Sequence, residues 1–204
     1  MFPSSPCTTQ PLAQSTTFAE AYERNRSRRG YAGPIAPVSP STLVISKIGP
    51  ESDVLLRNLC EHYIHDMAEW FEIDTKADGS YSYDTSSVWR NGYDAYLAKA
   101  GDAIAGFAIV GSATEWLGDI GAHDIHEFFV IRRFRRSGFG QRMATFLWNE
   151  RPGEWLVRVL EANAPAVLFW RTAISIHSHG SYTEERRIAG GRPWLFFRFV
   201  SAGA

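Results

Sequence analysis

The stretch Arg135-Arg136-Ser137-Gly138-Phe139-Gly140 decides how this chain is read. It joins an apolar, strand-like run, Ile125-His126-Glu127-Phe128-Phe129-Val130-Ile131, to an amphipathic helical one from Gly140 to Trp148. A glycine-rich turn between strand and helix leaves the first backbone N–H groups of the helix without intrahelical partners, at the positive end of its dipole. Such a turn seats a phosphate. Two glycines let the backbone approach a pyrophosphate with no Cβ in the way, and Arg135 and Arg136 add charge-assisted hydrogen bonds. The dipole alone contributes only about 0.3–1 kcal/mol, so tight binding needs several N–H groups together.

Two common phosphate motifs are excluded by the letters. A P-loop requires Gly-Lys-Ser/Thr after four intervening residues, and a dinucleotide turn requires a third glycine three residues after the second. What the stretch resembles is Arg/Gln-x-x-Gly-x-Gly, the acyl-CoA pyrophosphate loop of the GNAT superfamily of N-acetyltransferases. Arg135 takes its first position, Gly138 and Gly140 its glycines, and Phe134 the apolar residue that often precedes it. A second block follows at the expected distance: Glu154-Trp155-Leu156-Val157-Arg158-Val159 reads as a strand. Asn163-Ala164-Pro165-Ala166-Val167-Leu168-Phe169-Trp170 then resembles the family's Asn-x-x-Ala-x-x-apolar-Tyr opening of a helix.

The wider chain is consistent with that resemblance. Thr42 to Ile48 reads as a strand stopped by Gly49-Pro50, and Ser52 or Asp53 can cap a helix carrying Leu55, Leu56, Leu59, Tyr63, Ile64 and Met67. Residues 72–92 are turn-rich with a short helix near Val88. Tyr93 to Ala100 and Ala103 to Val110 form a hairpin through Gly101-Asp102, and Gly118 to His123 is a loop into the Glu127 strand. Ser181 to Arg187 and Trp194 to Val200 are the last strands. The order implies an α/β fold with a GNAT-like central mixed, mostly antiparallel sheet, a splayed parallel strand pair and flanking helices. It occupies residues 41–204. Residues 1–40, rich in Pro, Ser, Thr and Gly, read as a mostly disordered extension.

With 204 residues and 45% hydrophobic letters the chain can bury one sizeable core. A net charge of -1 gives no global pull toward nucleic acid or membrane. Cys7 and Cys60 are too few and too ill-spaced for a disulfide framework or a zinc site, and read as free thiols. No apolar run of membrane-spanning length and no leader pattern is present, so the expected location is the cytoplasm. His177, His179, His123 and His126 lack companion ligands at metal-site spacing, and no metal is expected. Arg132, Arg133, Arg135, Arg136 and Arg142 read as CoA-phosphate groups rather than a nucleic-acid patch, having no basic support elsewhere in the domain.

Acetyl transfer to nitrogen requires a neutral amine. A lysine-like ammonium of pKa about 10.4 is neutral only about once in 10³ molecules at pH 7, so a positioned base is valuable. The resemblance implies a base three or four positions before Val130, which are Glu127 and His126. Strand alternation puts these two on opposite faces unless a bulge intervenes, and Glu127 is the favoured base. The family tyrosine that protonates the leaving thiolate is replaced by Trp170, whose indole donates but is not a useful acid; Tyr182 is the substitute named by proximity.

By resemblance, acetyl-CoA is the donor. Its site would comprise the strand end Phe129 and Val130, the loop Arg135, Arg136, Ser137, Gly138, Phe139 and Gly140, and Asn163 and Phe169 of the second block. No cysteine sits in the motif strands, so direct attack in a ternary complex is implied rather than an acetyl-enzyme. Between Glu61 and Asp94 the chain carries Glu61, Asp66, Glu69, Glu72, Asp74, Asp78, Asp84 and Asp94 interleaved with aromatics. The resemblance implies that this region, with its aromatics Trp70, Phe71, Tyr81, Tyr83, Trp89 and Tyr93, walls the acceptor site, and its acidic, aromatic character suits a small cationic or polar amine. A different acyl donor, a hydroxyl acceptor and a non-catalytic acyl-CoA sensor remain as other readings, and the oligomeric state, a homodimer included, stays open.

Overall fold

Gly49 and Pro50 end the first strand, β1 (Leu43–Ile48), because proline removes the ladder donor and fixes its own φ. The structure is a computed structural model, and residues 43–81, 83–118 and 121–203 are described; the N-terminal segment 1–40, Cys7 included, lies outside them. A 3-10 turn (Pro50–Ser52) leads into α1 (Asp53–Met67), which buries Leu56, Leu59 and Cys60. The expected cap differs in kind. Ser52 makes no side-chain cap bond, and the Asp53 carboxylate instead accepts from Thr85 Oγ1 at 2.7 Å and Trp89 Nε1 at 2.8 Å. These two bonds fasten α1 to α2 (Ser86–Arg90).

The hairpin β2 (Asp94–Ala100) and β3 (Ala103–Ser112) turns through Gly101, whose φ of +58° favours glycine. A short helix not expected from the letters, α3 (Thr114–Leu117), precedes β4 (His123–Val130). A 3-10 turn at Arg132–Phe134 and the glycine loop then open α4 (Phe139–Glu150). The chain continues as β5 (Gly153–Leu160), α5 (Ala164–His177), β6 (Tyr182–Ala189) and β7 (Arg192–Ser201).

The seven strands form one sheet in the order β1-β2-β3-β4-β5-β7-β6, antiparallel throughout except for the parallel β4–β5 pair. Helices cover both faces. On one, Leu56, Leu59 and Cys60 of α1 and Val88 of α2 pack on Leu97, Phe107, Ile109 and Phe129. On the other, Met143, Leu147 and Trp148 of α4 and Trp170, Ala173 and Ile174 of α5 pack on Ala98, Ala108, Val157 and Phe197. Cys60 is a free thiol in the first of these layers, and burial pushes its pKa up. Among the described residues no helix is long and apolar enough to cross a membrane.

Candidate active site

β4 and β5 are paired only at His123 with Trp155 and Asp124 with Leu156, although the strands continue to Val130 and Leu160. Beyond Asp124 they part, and a cavity of about 480 Å³ opens between them and under α1. That size is ordinary for a small-molecule site. β4 is irregular just beyond Asp124. Glu127 opposes Ile109 and Ile125 opposes Val110, so His126 is the surplus residue of a β-bulge against β3. The bulge changes the alternation: Ile125 faces the α4/α5 layer, whereas Glu127 and Phe129 face the α1 layer. The alternation expected for His126 and Glu127 is therefore broken, and both line the cavity.

Glu127 is held by phenols. Tyr83 donates to its Oε1 at 2.9 Å, and Tyr63 is a second hydrogen-bond donor to the carboxylate. Burial raises the Glu127 pKa, and the two phenols only partly offset it. Burial and the neighbouring Glu127 charge also push both tyrosines up, so they remain neutral donors. His126 stacks on Tyr93 at 4.3 Å, and its Nε2 lies 3.5 Å from Asp124. Burial lowers its pKa more than Asp124 raises it, which leaves a neutral imidazole near pH 7. At the apex of the parted strands, fully buried Asp124 takes Arg158 Nη2 at 2.6 Å and Nε at 3.1 Å, with the guanidinium over Trp116.

The glycine loop is built for backbone rather than side-chain donors. Gly138 is the residue before α4, left-handed at φ +80°, and offers no side chain to cap it; the Ser137 hydroxyl turns back to Arg135 O at 3.2 Å. The N–H groups of Phe139, Gly140 and Gln141 thus stand ahead of the first intrahelical bond, from Arg142 N–H to Gly138 O. Arg136 is also left-handed, at φ +60°. Gly140 is closely packed: a Cβ there would lie 3.1 Å from the Phe169 ring, which would have to give way slightly.

The expected side-chain role of Arg135 meets a different geometry. Its guanidinium binds the Asp66 carboxylate, donates through Nε to Val130 O at 2.7 Å and covers the Phe129 ring. Arg132 donates to the same Asp66 at 2.7 Å. Arg135 is therefore a strut between α1 and the loop. Phe129 and Phe139 are buried in the core, so only their backbones can face a ligand. Asn163 spends its side chain on α5, accepting from Ala166 N at 3.1 Å. Phe169 stacks on Phe128, and Trp170 is buried against Phe128 and Trp148 where the family has its tyrosine.

Tyr182 does not join the cavity; it sits at the start of β6 against Phe197. The phenols near Glu127 are Tyr63, which sequence reasoning missed as a site residue, and Tyr83, which it read only as one aromatic of the acceptor wall. His177 is bonded to Ser201 Oγ at 2.9 Å and lies tilted against Trp148, a structural role. None of the eight acidic residues from Glu61 to Asp94 lines the cavity, whose α1 side is formed by Tyr63, Ile64, Met67, Phe71, Ile73 and Tyr83, with Trp194 added from β7.

A seven-stranded mixed sheet with a parted parallel pair and a helix opened by a glycine turn is the fold of GNAT-type acetyltransferases, and this chain has it. It is similar to a ribosomal-protein-alanine N-acetyltransferase from Brucella melitensis (TM-score 0.55, 16% identity, covering 77% of this chain and 99% of that one). It is equally similar to a structure from Desulfovibrio desulfuricans assigned to the GNAT family (0.54, 14%, 78% and 99%). A spermidine N-acetyltransferase from Vibrio cholerae in complex with CoA and spermine shares the fold as well (0.54, 9%, 79% and 96%). No protein-family model and no curated protein matches the sequence.

Proposed function

We propose that the protein is an acetyl-CoA-dependent N-acetyltransferase acting on a small amine by direct transfer in a ternary complex. The observation that carries this reading is the parted β4–β5 pair, with the Glu127 carboxylate on one lip and an uncapped α4 N-terminus beyond the end of β4. The donor's pyrophosphate would lie on the N–H groups ahead of Arg142, its pantetheine arm between the strands, and its thioester beside Glu127. A protein of the same fold has been solved in complex with CoA and spermine, which supports a CoA-type donor.

In the reaction the amine lone pair forms the C–N bond as the C–S bond breaks. The amine's proton passes to Glu127, directly or through one water, and the thiolate takes a proton from solvent. A raised pKa suits Glu127 to the first task, because a stronger base accepts the proton more readily near neutrality. A thiolate of pKa near 8.5 is a tolerable leaving group without an enzyme acid. That is consistent with Trp170 at the family's tyrosine position. His126 is the second candidate base.

Trp170 also favours one other reading, a non-catalytic acyl-CoA-binding domain. Calorimetric titration with CoA followed by mass spectrometry of an amine mixture incubated with acetyl-CoA separates the two. Binding with a mass gain of one acetyl on an amine supports the transferase, binding without product supports the sensor, and absence of binding removes both.

A further inference from the structure

Resting on that transferase reading, we infer that the acceptor end of the cavity takes a singly charged primary amine carried on an apolar, preferably aromatic, body, and disfavours polyamines. Beside the phenols Tyr63 and Tyr83, which point to Glu127, the α1 side of the cavity is lined by Ile64, Met67, Phe71 and Ile73, with Trp194 added from β7, and among the described lining residues Glu127 is the one carboxylate. It can receive one ammonium. A second ammonium a few ångströms away would face this apolar wall and lose its hydration without a partner.

The acidic residues that could have served a second ammonium are turned elsewhere. Asp66 holds Arg132 and Arg135, Asp84 holds Arg90 and the Ser86 hydroxyl, and Asp94 holds Lys47 and Arg151. Glu72 is exposed between Phe71 and Ile73, both of which line the cavity, so the same segment presents its apolar letters inward and its carboxylate outward. A carboxylate on the acceptor fares no better. Arg158 is the one permanent cation among the described lining residues, and buried Asp124 already engages its Nε and Nη2.

The aromatic wall is held in place across the mouth of the cavity. Arg192 donates from Nη1 to Trp70 O at 2.8 Å and lies over the Phe71 ring, while Phe71 meets Trp194 at 6.2 Å. Rings held in place in this way bind an aromatic body with little ordering cost.

The test uses the purified full chain with acetyl-CoA and four amines: phenethylamine, butane-1,4-diamine, spermidine and an alanine-initiated peptide, read by CoA-thiol release and product mass. Phenethylamine is expected to exceed the diamine and spermidine in kcat/KM by about 100-fold, the discrimination that a few methylene-sized apolar contacts deliver. Phe71→Ala should raise KM for phenethylamine with kcat little changed, and Phe71→Asp should shift preference toward the diamine. Higher kcat/KM for spermidine, the diamine or the peptide in the unsubstituted protein overturns this inference and leaves acetyl transfer standing. No acetylated product from any of the four overturns the transferase reading and this inference with it.

Discussion

Tyr83, on the loop between α1 and α2, donates a 2.9 Å hydrogen bond to Glu127 on β4, joining two groups 44 residues apart in the chain. Such a bond favours the ionised carboxylate and works against burial, which favours the neutral one. The proposed base is thereby tuned by a segment that also walls the cavity.

Glu127→Gln should lower kcat by about 10²- to 10⁴-fold with CoA affinity nearly unchanged, the range for loss of a general base. The loss should be greatest below the pKa of the amine. Tyr83→Phe removes a bond that stabilises the carboxylate, so the acidic limb of the kcat/KM profile should move to higher pH while the plateau stays within a few-fold. An unmoved limb in Tyr83→Phe, together with a rate collapse in His126→Ala, would transfer the role of base to His126.

The same substitution should stabilise the fold. Glu127 has a folded pKa above its unfolded value, so both states are protonated at low pH and the group is then neutral for stability. As pH rises past the ordinary carboxylate value the unfolded chain releases its proton first, and the native state loses stability until its own pKa is passed. Thermal melting of Glu127→Gln should exceed that of the parent at pH 7 and converge with it near pH 4.

Asp66→Ala should loosen the glycine loop. Burial alone would raise the Asp66 pKa, but hydrogen bonds from Arg135 and Arg132 outweigh it and hold the carboxyl low. Its contribution to stability is therefore present above the ordinary carboxylate value and disappears as pH falls through the lower folded one. A stability loss of about 1 kcal/mol is expected, since these pairs are partly exposed. CoA should bind several-fold more weakly; tighter binding would instead make Arg135 a phosphate ligand once freed from Asp66.

Asp124→Asn should be far more costly. Asp124 is fully exclosed from solvent and carries Arg158 on both oxygens, and removing one partner leaves an uncompensated buried charge. Chemical denaturation should show a loss of about 3–5 kcal/mol. A loss below about 1 kcal/mol would mean that Arg158 finds solvent when its partner is gone.

Local chemistry made most elements legible. The Gly101 and Gly190-Gly191 turns, the Gly49-Pro50 stop and the glycine loop each announce a backbone requirement in one or two letters, and the strands and helices between them stand where periodicity puts them. The α3 helix has only four residues, too short for a periodic signal. The site was harder to read because its partners are distant in sequence. Glu127 was visible from its offset to Val130, but nothing near Tyr63 or Tyr83 points to β4, and Tyr182 was chosen by proximity along the chain. Asp66 looked like one acid among eight, yet its place on the last turn of α1 opposite Arg132 and Arg135 makes it a loop anchor. Composition could count those acids but not aim them.

The surplus residue at position 126 has a consequence for how this chemistry can change over time. Odd and even positions exchange sides of the sheet at that point, so the Glu127 carboxyl and the greasy letters upstream of it follow independent parity. Loss of His126 would straighten the strand and still leave Glu127 beneath α1, whereas loss of Phe128 would force either the carboxyl or Phe129 onto the opposite side. Single-codon deletions on either side of Glu127 are thus unequal events: one removes the bulge and the His126 imidazole but keeps the Glu127 carboxyl on its side of the sheet, whereas the other relocates that carboxyl or Phe129.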